Sequence, residues 1–191
     1  MIASEKKDKS NKIYCGISGT GLFLILMEQR KIILDAEAIR RKIERIAWQI
    51  YEDHDQEKHI ILAGIRDRGN VVAGRIKKVL DRISPLKVDL IEVLIDRNNP
   101  LDAGLSRNMD FTGKVVILTD DVTNSGRTLL FALKPFLHGV PRIIRTAVLI
   151  DRQHKSFPIV PDYSGYSLAT TLQDNILVEM EGENILLACL E

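Results

Sequence analysis

The sequence predicts an α/β fold built on a central, mostly parallel sheet flanked by helices. Two observations carry this expectation. The runs Ile60–Ile65, Val88–Ile95, Lys114–Thr119 and Ile143–Ile150 are short and almost continuously apolar, as strands buried on both faces are. Segments of helical periodicity separate most of them, and a strand, a helix and a further strand pack as parallel neighbours through a right-handed crossover.

Taken in order, residues 1–12 are polar and lysine-rich, and a short apolar run, Leu22–Met27, follows them. That run is far shorter than the roughly 18–20 residues a bilayer-spanning helix needs, and no small-residue cleavage pattern follows it. Gly16, Gly19 and Gly21 have the order G-x-x-G-x-G, not that of a dinucleotide loop, and no strand precedes them. Residues 1–26 are therefore expected to be a weakly ordered extension, and residues 27–191 the domain. Asp35 is a candidate N-cap for a helix whose apolar stripe is Ile39, Ile43, Ile46, Ala47 and Ile50. Its other face, with Arg40, Arg41, Glu44, Arg45 and Glu52, reads as solvated. After the first strand, Asn70–Ile83 returns to helical spacing through Val72, Ile76, Val79 and Leu80. A further helix is expected over Arg127–Leu137. The tail breaks the rhythm with Pro158, Pro161 and Gly165, then offers strands at Ile176–Met180 and Ile185–Leu190 joined by Glu181-Gly182-Glu183-Asn184. This tail reads as a small cap beside the sheet.

The chain has 191 residues, with 27 Lys+Arg against 26 Asp+Glu. A net charge of +1 excludes a globally basic nucleic-acid binder, so any polyanion site is a local patch. An aromatic content of 5% disfavours a base-stacking platform for single strands. Cys15 and Cys189 have no metal-ligand spacing, which suits a reducing cytoplasm. His54, His59, His138 and His154 likewise share no ligand spacing and read as surface residues.

Chemistry concentrates in VVILTDDVTNSGRT, residues 115–128. An apolar strand ends in Asp120 and Asp121, at the place where parallel sheets bind ligands. A loop of small and polar residues then leads to a helix start near Arg127. Its successive N–H groups, with the hydroxyls of Thr123, Ser125 and Thr128, suit a phosphate monoester. The chain contains no G-x-x-x-x-G-K-[ST] sequence, so this is not a P-loop. Two carboxylates before such a cradle suit the vicinal hydroxyls of a phosphorylated sugar.

This segment resembles the phosphoribosyl-pyrophosphate signature of type I phosphoribosyltransferases. The chain is most similar to the bifunctional pyrimidine operon attenuation regulator/uracil phosphoribosyltransferase family. KIILDAEAIRRKIERIA, ILAGIRDRGNVVAGRI, VILTDDVTNSGRT and AVLIDRQHKSFPIVPDYSGY match successive blocks of it, over about residues 31–191. The resemblance implies a three-layer fold with a small C-terminal hood at about 151–185. It also implies transfer of ribose 5-phosphate from phosphoribosyl pyrophosphate to a pyrimidine base, with uracil giving UMP and pyrophosphate. Asp120 and Asp121 would hold the ribose hydroxyls and, weakly, Mg2+. Thr123, Asn124, Ser125, Gly126, Arg127 and Thr128 would surround the 5-phosphate. Arg66, Asp67, Arg68 and Gly69 would form the pyrophosphate loop, with a cis peptide expected at Arg66–Asp67. Arg97 would belong to a loop covering the site, although the segment from Arg97 to Thr112 is shorter than in that family. The base would sit between Asp151–His154 and the segment Tyr163–Thr171.

Purine-type members carry an acid where this chain has Asn124, and the pyrimidine regulators usually carry a tyrosine there. An amide does no general acid–base work, which disfavours a 6-oxopurine acceptor. Attenuator RNA is the disfavoured partner: Glu44 and Trp48 replace a threonine and a histidine on the expected RNA face, and Lys155 replaces an arginine. The resemblance implies a homodimer or larger assembly. The alternatives to the pyrimidine transferase are a nucleotide-sensing RNA-binding regulator with little activity and a transferase for a purine base.

Overall fold

The computed structural model describes residues 31–96, 99–169 and 175–190; the extension expected over 1–26 and the loop residue Arg97 lie outside the described residues. Strand β1 (Lys31–Asp35) runs directly into helix α1 (Ala36–Asp53). Asp35 is the N-cap, its carboxylate accepting the Ala38 N–H at 2.7 Å. The predicted stripe from Ile39 to Ile50 is buried. The crossover unit β2 (His59–Ile65), α2 (Arg68–Ile83) and β3 (Lys87–Leu94) follows. Then come a 3-10 turn at Pro100–Asp102, the short β4 (Gly104–Leu105) and β5 (Val115–Thr123). Helix α3 (Arg127–Ala132) precedes β6 (Ile143–Arg152), β7 (Tyr163–Leu168), β8 (Ile176–Glu181) and β9 (Asn184–Leu190).

Six strands form the central sheet in the order β4-β3-β2-β5-β6-β7. All neighbours are parallel except β4 against β3. A separate antiparallel sheet has the order β1-β9-β8. The central sheet is buried on both faces. On one side Leu62, Ile117 and Leu149 meet Ile46 of α1, Ile76 of α2, and Val178 and Ala188 of the smaller sheet. On the other, Ile61, Leu118 and Val148 meet Leu129, Phe136 and Phe111. Each such side chain contributes roughly 1.5–3 kcal/mol through removal from water. The result is the helix-flanked, mostly parallel sheet that the alternating pattern predicts, in the three layers that the family resemblance implies.

Several elements differ from the sequence expectation. Strand β5 continues through Asp120 and Asp121 to Thr123, because β6 extends to Arg152 and pairs with it as far as Thr123↔Asp151. The α-helical part of the expected helix at 127–137 ends at Ala132, and Lys134–His138 is 3-10. Pro135 is the cause: it has no N–H to donate and its ring clashes with the preceding turn. Strand β7 was hidden by polar alternation around Gly165, and it adds an edge to the central sheet. The smaller sheet draws on β1 as well as on the tail, a pairing between chain ends that no local pattern reveals. His54 is buried, 4% exposed, contrary to the expectation that all four histidines lie at the surface. Arg45 is not merely solvated, since it donates to the Ser164 and Gly165 carbonyls of β7 at 2.7 and 2.8 Å. No helix among the described residues is long and apolar enough to cross a membrane.

Candidate active site

The ends of β2, β5 and β6 converge on one edge of the sheet, where an open parallel sheet leaves its ligand crevice. Successive strand residues point to opposite faces, so Asp120 and Asp121 part company. Asp120 lines a cavity of about 230 Å³ together with Ile95, Pro100 and Thr123 through Thr128. Its Oδ1 accepts the Asp121 N–H at 2.9 Å, which fixes the carboxylate. Asp121 lies 3.7 Å from Nη1 of Arg68, at the start of α2. The two acids are 3% and 4% exposed, and β5 holds them rigidly.

The loop Asn124-Ser125-Gly126 turns β5 into α3. Gly126 has φ +84°, a conformation that costs a residue with a Cβ roughly 1–2 kcal/mol. The Ser125 hydroxyl accepts the Arg127 N–H at 3.3 Å and thereby caps the turn. With only six residues in α3, any anion held here would depend on loop amides rather than on a long helix dipole. All six predicted cradle residues line the same cavity as Asp120.

A second hollow, of about 550 Å³, is lined by Arg66, Asp67, Leu94, Ile95, Asp96 and Asp102. It shares Ile95 with the cradle cavity. The Arg66–Asp67 peptide is trans, not cis as expected; the turn is made instead by Asp67 at φ 64°, ψ −103°. Such a combination resembles a rare γ-turn and costs of order 1–3 kcal/mol. Gly69 is needed for close approach: a Cβ there would stand 2.7 Å from the Thr119 carbonyl oxygen and 3.1 Å from Asp120 Cα. Thr119 Oγ1 in turn donates to the Gly69 carbonyl at 3.1 Å. The loop is thus seated directly against the strand that carries the acids. Asn70 Oδ1, beside it, is buried without a hydrogen-bond partner.

At the end of β6, Asp151 and Arg152 are buried, each 7% exposed. Lys155, which stands where the resembled family has an arginine, bonds Asp151 Oδ1 at 2.5 Å, the Arg152 carbonyl at 3.0 Å and the Asn124 carbonyl at 3.1 Å. Tyr163 is not beside Asp151. It begins β7 opposite Ala147, and its hydroxyl donates to Asp53 at 2.7 Å. Leu168 is the β7 residue at the site end, pairing with Arg152. Thr170 and Thr171, expected at the base pocket, lie outside the described residues.

Among the described residues no group of three or more His, Cys, Asp or Glu could hold a metal ion. The donor set nevertheless fits Mg2+, which keeps several waters and takes one or two carboxylates plus phosphate oxygens. Asp120 supplies such a carboxylate to the cavity.

Asp120 and residues 123–128 thus line one cavity at the ligand edge of the sheet, and a second hollow adjoins it at Ile95, an arrangement that suits a phosphorylated sugar. Residues 29–179 match the phosphoribosyl transferase domain, and the chain belongs to that family. Among curated proteins it is 34% identical over 166 residues to the "Bifunctional protein PyrR" of Bacillus pumilus, covering 81% of this chain and 92% of that one. It is 37% identical over 162 residues to the PyrR of Halalkalibacterium halodurans, covering 78% and 90%. Among solved structures, the hypoxanthine phosphoribosyltransferase of Trypanosoma cruzi has a TM-score of 0.70 at 16% identity, over 82% of this chain and 95% of that one. That likeness shows the shared fold.

Proposed function

We propose that this phosphoribosyltransferase transfers the phosphoribosyl group of phosphoribosyl pyrophosphate to uracil in the cytoplasm, giving UMP and pyrophosphate. The observation that favours a pyrimidine over a purine acceptor is Asn124, which lines the cradle cavity at the position where purine-type members carry an acid. The relatives named PyrR support the same choice.

In this reading the Asn124–Thr128 amides and hydroxyls bind the 5-phosphate, and Asp120 accepts from a ribose hydroxyl. Asp121 holds Arg68 toward the pyrophosphate, and the strained turn at Asp67 presets the backbone of that loop. At the anomeric carbon the bond to a pyrophosphate oxygen breaks as a bond to uracil N1 forms, through an oxocarbenium-like state, and the N1 proton passes to the departing pyrophosphate or to solvent. Negative charge grows on the leaving group, and Arg66, which lines the second hollow, and Arg68 are assigned to stabilise it. Bound Mg2+ would neutralise part of the pyrophosphate charge. Arg97 is assigned to the covering loop that excludes water. Labelled uracil, hypoxanthine and guanine, each supplied with phosphoribosyl pyrophosphate and Mg2+, test the reading. Uracil should turn over best by at least an order of magnitude; preferred turnover of a purine would overturn it.

One observation favours a second reading, the RNA-binding regulator. Glu44 does not present an unneutralised charge, since Arg82 and Arg40 approach it at 2.8 and 3.3 Å. Arg40, Arg75, Lys78 and Arg82 border a groove of about 500 Å³ alongside α1. Trp48, 53% exposed, stands on the same helix. RNA affinity that falls steeply with salt, in a protein silent on every base, would establish this reading over the first.

A further inference from the structure

The segment following β6 folds back over the phosphate loop, and its hydrogen bonds to that loop fall on carbonyl oxygens, save a 3.5 Å contact of Lys155 with Thr123 Oγ1. The Lys155 ammonium donates to the Asn124 carbonyl at 3.1 Å and lies 3.4 Å from that of Thr123. The backbone N–H groups of Ser156 and Phe157 both donate to the Ser125 carbonyl, each at 3.0 Å. Three successive loop carbonyls are therefore held against residues 155–157, none of which lines the cradle cavity. In a trans peptide the C=O of one residue and the N–H of the next point in opposite directions. Carbonyls turned outward at 123, 124 and 125 turn the N–H groups of Asn124, Ser125 and Gly126 inward, toward the cavity.

We propose that Lys155 is a positioning residue of the transferase site, orienting the peptide planes of the phosphate cradle before substrate arrives. Two features single it out from the backbone donors beside it. Its charge is anchored on Asp151, at 2.5 Å, so the ammonium is fixed by a carboxylate of β6 while it holds carbonyls at the end of β5. The lysine side chain is also largely enclosed, 18% exposed, and it is committed to this site rather than to a partner in solution. A single cation therefore couples the phosphate side of the site to the strand beside which the base is expected. The inference rests on the transferase reading and adds to it a group that touches neither substrate.

The test compares the parent chain with Lys155→Met, which keeps the aliphatic stem but removes the donors, and with Lys155→Arg, which keeps a charged donor. Ribose 5-phosphate binding by calorimetry is the first readout, and KM for phosphoribosyl pyrophosphate against kcat is the second. K155M should bind ribose 5-phosphate at least tenfold more weakly and raise KM more than it lowers kcat. K155R should recover most of the affinity, while thermal unfolding confirms that both variants are folded. Equal ribose 5-phosphate affinity in parent and K155M would overturn the proposal. Turnover of the parent, measured in the same preparations, tells that failure apart: a parent that binds ribose 5-phosphate but turns over no base sinks the transferase reading instead.

Discussion

Asp67 shows how single residues divide stability from function. Its positive φ is stored at the loop assigned to pyrophosphate, with no side-chain cap bond to offset it. Relief of this strain, about 1–3 kcal/mol, exceeds the roughly 0.5–1 kcal/mol of extra chain entropy that glycine brings to the unfolded state. Asp67→Gly should therefore raise unfolding free energy by about 1 kcal/mol, read as a higher urea midpoint, while weakening pyrophosphate affinity in calorimetry. A variant that loses stability would show that Asp67 makes compensating contacts. That Asp120 and residues 123–128 share one cavity is legible in the sequence, because a loop of small polar residues directly after an apolar strand stays at the strand's end. The orientation of the two acids is not. Adjacent acids read as a pair until β5 is known to run on to Thr123, which sends Asp120 and Asp121 to opposite faces.

At the level of elements, local chemistry set the helices well and the strands unevenly. The α1 stripe and its N-cap were visible because helix periodicity and capping act within a few residues. Asp35→Ala should cost about 1 kcal/mol, seen as a lower thermal midpoint with the helix otherwise retained. An unchanged midpoint would mean that pairing of β1 with β9 alone fixes the start of α1. Strands β1 and β7 escaped notice for different reasons. Strand β1 is five residues long and pairs with β9 at the far end of the chain. Strand β7 is an edge strand, YSGYSL, whose face is covered by α1 through Arg45 rather than by an apolar run of its own. Pro135 lies inside the segment whose apolar spacing predicts a helix to Leu137, and it suffices to convert the end of that segment to 3-10 geometry.

For the whole molecule, the helix layer and the sheet edge are joined by a buried polar contact that makes stability depend on pH. His54, at the end of α1, lies 3.4 Å from the Tyr163 hydroxyl, which itself donates to Asp53. Burial depresses the His54 pKa below 6.5, outweighing the nearby Asp53 and Glu57; Arg145 and Arg142 push the same way as burial. Burial and Asp53 raise that of Tyr163. Above about pH 6.5 the imidazole is neutral folded and unfolded alike. As pH falls below that value the unfolded chain takes up a proton that the folded ring resists, so stability is lost through the window down to the depressed folded pKa. The urea midpoint should fall between pH 7 and 5.5, and His54→Gln should make that fall shallower; parallel profiles would exclude His54 as its source. The sequence by itself determined the α/β class, the order of most elements, and the run of residues from Asp120 to Thr128 that gathers at one end of the sheet. These depend on periodicity, capping and turn chemistry, all of which act over a few residues. Only the tertiary structure decided that β1 closes the smaller sheet, that the two acids face apart, and that Lys155 turns inward. Each of these depends on contacts between segments distant along the chain, whose free energy has no local signature.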